Sequence, residues 1–125
     1  MIDLGNYDAQ KELTQTLIND DKLQQLINER FYNRVAEQDA EFPRVVYTQI
    51  EDANTKYADD EEIEATVYFQ ISIFTDAETV MHETEIYKEI DRIMKSINYK
   101  RYDYQGLYET DTKLHHLALR YQKQF

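Results

Sequence analysis

Cysteine and tryptophan are absent from this 125-residue chain, and Pro43, Gly5 and Gly106 are its only proline and glycines. Without cysteine there is no disulfide, no thiolate nucleophile and no cysteine-ligated metal. So little glycine leaves no loop that cradles phosphate, and neither the Walker nor the dinucleotide pattern occurs. No apolar run reaches membrane-spanning length. Met1-Ile2-Asp3-Leu4-Gly5-Asn6 has no basic segment followed by an apolar core, so the expectation is a cytoplasmic chain with no signal peptide and no membrane partner. Basic residues number 14 against 25 acidic ones, for a net charge of −11. Tight nucleic-acid binding needs a basic patch that displaces counterions from phosphates. Lys100-Arg101 and the scattered C-terminal basic residues are too sparse to form one. A negative surface can instead lie beside DNA and let it pass.

What is present is a chain able to fold. Hydrophobic residues make up 42% and charged residues 31%, which suits a single domain over 1–125 with a real core. The strongest pattern runs from Ile63 to Phe74. Ile63, Ala65, Val67, Phe69, Ile71 and Ile73 alternate with Glu64, Thr66, Tyr68, Gln70 and Ser72, which predicts a long strand with one buried face. Pro43 introduces a second strand, Arg44–Glu51, expected to pair antiparallel with the first. The stretch 52–62 between them reads as a polar connection. A first helix is expected over Tyr7–Asn19. A second, capped by Asp20-Asp21, carries Leu23, Leu26, Ile27 and Phe31. Thr75 or Asp76 caps a third, about Glu78–Ile97, in which Ile86, Ile90, Ile93 and Ile97 recur at helical spacing. Tyr102–Thr110 and Lys113–Gln124 form a closing hairpin around Asp111-Thr112. That turn sets Tyr102 opposite Tyr121 and Asp103 opposite Arg120, with a bulge expected at Gly106. The order helix, helix, strand, strand, helix, strand, strand argues an α+β domain. It would hold a single antiparallel sheet of about four main strands with helices packed on one face.

The reactive side chains do not assemble into a catalytic or metal motif. His82 and Glu85 lie one helical turn apart, and two ligands on a solvated helix make no site. His115 and His116 are adjacent on a strand, point to opposite faces and cannot chelate one ion. One is expected half-buried and the other exposed. The acidic run Asp59, Asp60, Glu61, Glu62 and Glu64 lacks the spacing of an EF-hand loop. It reads as a solvated loop, or as a negative loop projecting towards DNA or a partner. No serine sits in a nucleophile elbow, so no enzyme, cofactor or metal is expected. Tyrosine is the excess, at 11 residues. It suits protein–protein interfaces, being large and amphipathic. Tyr47, Tyr68, Tyr104 and Tyr108, on expected strands, are the candidate oligomer or tube interface.

Several segments together resemble the tail-terminator or tail-completion proteins of long-tailed bacteriophages and prophages of Gram-positive hosts. They are Leu26-Ile27-Asn28-Glu29-Arg30-Phe31-Tyr32, Phe42-Pro43-Arg44-Val45-Val46-Tyr47, Val67-Tyr68-Phe69-Gln70-Ile71-Ser72-Ile73-Phe74, Ile86-Tyr87-Lys88-Glu89-Ile90-Asp91-Arg92-Ile93-Met94, Tyr108-Glu109 and Leu114-His115-His116-Leu117-Ala118-Leu119-Arg120-Tyr121. The resemblance implies a sheet packed with helices and no catalysis. It implies a ring, typically a hexamer, that caps the head-proximal end of the tail tube, stops its growth and meets the head connector. The expected partners are then the chain itself, the tail tube protein and the connector protein. DNA is then expected to pass through without specific binding; the charge of Asp59–Glu64, and not the resemblance, assigns that segment to the channel or its mouth. Two other readings stay open: a connector-to-tail adaptor of the neck, and a small acidic cytoplasmic inhibitor or immunity-type protein that masks a basic partner.

Overall fold

The alternation at Val67, Phe69, Ile71 and Ile73 becomes the central strand of the molecule, and every one of these side chains is buried. The computed structural model describes the backbone of residues 2–37, 39–50, 56–58, 61–64 and 66–124, and the side chains of residues 9–37, 39–50 and 66–124. In chain order the elements are α1 (Ile2–Ile18), α2 (Asp21–Ile27), β1 (Phe31–Asn33), β2 (Arg44–Ile50), β3 (Lys56–Ala58), β4 (Glu61–Glu64), β5 (Thr66–Thr75), α3 (Glu83–Ser96), β6 (Lys100–Glu109) and β7 (Leu114–Gln124). One 3-10 turn, Val80–His82, leads into α3. The fold is α+β. Its five-stranded sheet has the order β1-β2-β5-β7-β6, and β3 and β4 pair separately.

The β2–β5 pair is antiparallel, with Tyr47 opposite Ile71. β7 lies antiparallel on the other side of β5, with Leu119 opposite Ile71. Side chains in register point the same way, so Val45, Tyr47, Phe69, Ile71, Ile73, Leu117, Leu119 and Tyr121 share one face. The three helices cover that face with Leu13, Leu17, Leu23, Ile27, Ile86, Ile90, Ile93 and Met94, all in one buried cluster. Each such side chain stabilises the fold by about 1.5–3 kcal/mol relative to exposure.

Local chemistry sets the helix ends. The Asp20 carboxylate accepts from Leu23 N at 2.9 Å and caps α2, and Asn28 ends it in the left-handed region at φ 51°. The Asp76 carboxylate accepts from Thr79 N at 2.9 Å and from Glu78 N at 3.1 Å. It thereby shapes a turn and not the expected helix cap: α3 begins only at Glu83, behind His82, with no side-chain cap.

Further expectations are corrected. Phe31 does not extend α2: Asn28 and Glu29 take positive φ, and Phe31 opens β1, parallel to β2. The long strand does not begin at Ile63, because Glu61–Glu64 pairs with Lys56–Ala58 as its own ribbon. The polar connection therefore contains strand, and Glu61, Glu62 and Glu64 stand on β4 rather than in a loop. The bulge falls at Tyr102, between Arg101 opposite Tyr121 and Asp103 opposite Arg120, while Gly106 pairs regularly with Leu117. Asp103 keeps its expected partner; Tyr102 does not.

Candidate assembly surface

Strand β6 is ten residues long and exposed along its whole length. It ends the sheet, so among the described residues one row of its backbone groups has no strand beside it. Tyr104, Gly106 and Tyr108 pair with Leu119, Leu117 and His115 and so lie on the helix side. Asp103, Gln105, Leu107 and Glu109 lie on the other, helix-free face. The helices reach only the near end of this strand. There Tyr87 of α3 meets Tyr104 edge-on, with ring centroids 5.3 Å apart. Arg101 lies over both rings, 5.3 Å from Tyr87 and 5.5 Å from Tyr104. Beyond Tyr104 the cover stops: a Cβ placed on Gly106 meets nothing within 4 Å.

The result is a strip of large side chains in solvent. Tyr102 is 43% exposed, Tyr104 51%, Leu107 43% and Tyr108 54%. Tyr108 rests on His115 at 4.9 Å between rings. The bulge turns Tyr102 to the helix-free face, edge-on to Tyr68 at 5.7 Å. The backbone N–H of Tyr104 donates to the Asp103 carboxylate at 3.0 Å. A charged side chain thus occupies one edge position, a common guard against uncontrolled strand addition.

The four tyrosines read from sequence separate. Tyr104 and Tyr108 stand in the strip, and Tyr68 is half-buried beside it. Tyr47 is withdrawn into the core at 7% exposure. It stacks on Phe31 at 4.8 Å and accepts a hydrogen bond from Thr14 Oγ1 at 3.1 Å. Leu107 and Tyr102 are exposed large side chains that the sequence pattern does not single out. Alternation puts Leu107 on the face opposite Tyr108, and the bulge that turns Tyr102 has no glycine to mark it. Asp59 and Asp60 lie outside the described residues; for Glu61, Glu62 and Glu64 only the strand they stand on is described.

The helix-free face carries a second feature over β2, β5 and β7. Residues 34–37 fold back over the sheet and border an open hollow of about 500 Å³. Arg34, Val35, Arg44, Val46, Phe74 and His116 line it, with Glu37 as its acid. The two adjacent histidines do point apart: His115 meets Tyr108, and His116 stacks on Phe74 at 4.3 Å. Both are half-buried, which corrects the expectation that one is exposed. His116 Nε2 lies 2.8 Å from Ser72 Oγ. Burial holds its pKa below the ordinary histidine value, so at neutral pH the cationic groups of the hollow are Arg34 and Arg44. Among the described residues no three His, Cys, Asp or Glu side chains come together as a metal site, and no helix is long and apolar enough to cross a membrane.

A chain in the structure titled "Virion of native gene transfer agent (GTA) particle" has a similar fold. It aligns over 88% of this chain and 88% of its own length, with a TM-score of 0.75 and 14% sequence identity. No curated protein matches the sequence. The description "Tail completion protein gp17" belongs to a family that matches residues 11–123, nearly the whole chain including both edges of the sheet. The chain therefore belongs to the tail completion protein gp17 family, a family of structural components of phage-like virions.

Proposed function

We propose that this protein closes into a ring at the head-proximal end of the tail tube, ends tube polymerisation and presents the surface to which the head connector joins. The observation that carries this reading is strand β6, a sheet edge exposed on both faces and set with Tyr102, Tyr104, Leu107 and Tyr108. Contiguous exposed apolar area of this kind marks an assembly surface in a soluble protein. Contacts repeated by rotation bury such a surface in every copy and leave no end. Tyr68, Tyr104 and Tyr108 belong to that interface or to the contact with the tube.

A net charge of −11 per copy supports a channel that DNA traverses without being held, because like charge repels the phosphate backbone. The acidic segment Asp59, Asp60, Glu61, Glu62 and Glu64 is assigned to the channel or its mouth. The ring is tested by native mass and negative-stain imaging of the pure protein, then of purified tails. Closed rings at tail ends, and overlong tubes when the protein is withheld, are expected. Tubes of normal length in its absence overturn the terminating role. Neutralising Asp59, Asp60, Glu61 and Glu62 together slows DNA ejection while leaving the melting temperature in place. Normal ejection by that variant removes the acidic segment from the channel.

A further inference from the structure

We infer that the helix-free face of the sheet holds an extended acidic segment of another protein, in a trough that crosses β2, β5, β7 and β6. This goes beyond the ring reading and does not rest on it.

The trough follows from the register of the strands. Val46, Ser72, Ala118 and Gln105 stand side by side across the four. Val46 is 8% exposed, Ser72 5% and Ala118 6%, although they lie on the face that the helices leave bare. Their neighbours hide them. On one side runs the row Arg44, Phe74, His116 and Leu107; on the other runs Thr48, Gln70, Arg120 and Asp103. Longer side chains in both rows rise beside a floor of shorter ones. Along each strand the two rows are four residues apart, about 13 Å. With the side chains in place, that width takes an extended chain rather than a helix of about 10–12 Å. From β2 to β6 the trough is about 14 Å long, which about five extended residues cross.

The charge of this face states what fits there. The chain has six arginines. Arg30 meets Glu41, Arg92 meets Asp20 and Glu89, and Arg101 meets Asp91. Arg34, Arg44 and Arg120 have no carboxylate within salt-bridge distance among the described residues. All three belong to this face. Arg34 and Arg44 line the hollow at one end of the trough, and Arg120 stands on the far wall, opposite Asp103. The acids of the β6 side are engaged locally. The Asp103 carboxylate accepts from Tyr104 N at 3.0 Å, and that of Glu109 accepts from Thr112 Oγ1 at 2.9 Å.

The arginines are held in place by neutral groups. Arg120 Nε donates to Gln70 Oε1 at 3.1 Å, and Gln70 Nε2 donates to Ser72 Oγ at 3.1 Å. Arg44 Nη1 donates to the carbonyl of Ala40 at 3.0 Å, its guanidinium lies 4.4 Å over the Phe42 ring, and its buried Nε has no partner. The guanidinium fork matches a carboxylate in two-bond geometry. Three such groups beside Val46, Phe74 and Leu107 fit a segment that mixes acidic and apolar residues. Duplex DNA fits less well, because it is wider than the trough and reaches beyond it over a molecule of net charge −11.

The test uses a fluorescently labelled synthetic peptide of alternating glutamate and leucine, long enough to cross the four strands. It is titrated with the full chain and read by anisotropy. Saturable binding is expected, and it should disappear when glutamine replaces glutamate in the peptide. Arg34→Gln and Arg120→Gln change exposed side chains. Each should weaken binding about fivefold without moving the melting temperature. Lys11→Gln, on α1 and away from this face, should leave binding unchanged. No saturable binding overturns the proposal, and so does an equal loss from Lys11→Gln, which would mean unspecific attraction. Duplex DNA that binds as tightly as the peptide, and is weakened by the same arginine variants, replaces the acidic segment with phosphate. An oligomer that Arg34→Gln or Arg120→Gln dissolves, read by sedimentation, means that a second copy covers the face and also overturns the proposal. Rings that form from a protein unable to bind the peptide leave the ring reading standing.

Discussion

The hydroxyl of Tyr121 donates to the carboxylate of Asp91 at 3.1 Å and ties the last strand to helix α3. The ring is fully buried, and burial beside the Asp91 charge pushes the phenol pKa well above the ordinary tyrosine value. Asp91 is also bonded by Lys95 Nζ at 2.8 Å and Arg101 Nε at 3.3 Å. Burial works against its charge, but hydrogen bonds from Lys95 and Tyr121 and the nearby cations outweigh it and hold its pKa below the usual carboxylate value. Removing only the hydroxyl therefore leaves Asp91 with other donors. Tyr121→Phe should cost about 1 kcal/mol, read from denaturant unfolding. Tyr121→Ala also empties the ring's site and should cost about 3–5 kcal/mol. Equal losses for the two would mean that the hydroxyl, not the packing, carries the contribution.

Phe69 sits at the centre of β5 at 0% exposure, 6.0 Å edge-on from Tyr99 and in register with Tyr121. Phe69→Ala leaves a cavity between sheet and helices. A loss of about 3–5 kcal/mol is expected. A loss below 1 kcal/mol would contradict the packed layer described above.

Gly106 carries no positive φ, and a Cβ there meets nothing within 4 Å. Alanine fits the strand without strain and narrows the unfolded ensemble. Gly106→Ala should raise the stability of the single chain by about 0.4–1 kcal/mol. A fall in melting temperature would show that the space over Gly106 is not open.

Tyr108→Asp changes an exposed strand side chain whose one ring contact among the described residues is with His115, so unfolding free energy should fall by no more than about 1 kcal/mol. Self-association and attachment to tail ends should be lost. Retained attachment, measured by sedimentation with purified tails, would free this strand from any part in assembly.

Acid should weaken the fold through Glu89. Hydrogen bonds from Arg92, at 2.5 Å, are the largest cause that holds its pKa down to about 2 from 4.5, against its burial. A folded pKa below the unfolded one gives stability that is present above about pH 4.5 and lost as pH falls towards 2. Asp20, bonded to the same arginine at 2.7 Å, is raised by burial and by its hydrogen bond with Glu89. Its contribution has the opposite sign and offsets part of the loss. The melting temperature of Glu89→Gln should therefore fall less between pH 5 and pH 3 than that of the parent chain. Parallel curves would refute the assignment.

Periodicity made the framework legible in the sequence. The alternation Val67, Phe69, Ile71, Ile73 and the helical spacing Ile86, Ile90, Ile93 are local patterns, and local backbone geometry turns each into a buried face. Asp20 announced the start of α2 because its side chain bonds a backbone amide only three residues away, whereas Asp76 shapes a turn and α3 begins only at Glu83. The hairpin register survived as Asp103 opposite Arg120, since turn length sets it. The strongly acidic charge and the absence of cysteine are likewise properties of composition, independent of the fold.

Long-range contact decided the rest. Phe31 became a strand residue because β2 offers it a parallel partner, and no pattern within Leu23–Phe31 carries that information. Tyr47 and Tyr108 are the same residue type on strands. One is buried because Phe31 and Thr14 close over it; the other is exposed because α3 ends short of it. The hollow at Arg34, Val35 and Arg44 joins segments whose nearness exists only once residues 34–37 fold back across the sheet. Sequence patterns state which face of an element is apolar. Which of those faces find cover is settled by where the helices end and which strands lie at the edge of the sheet.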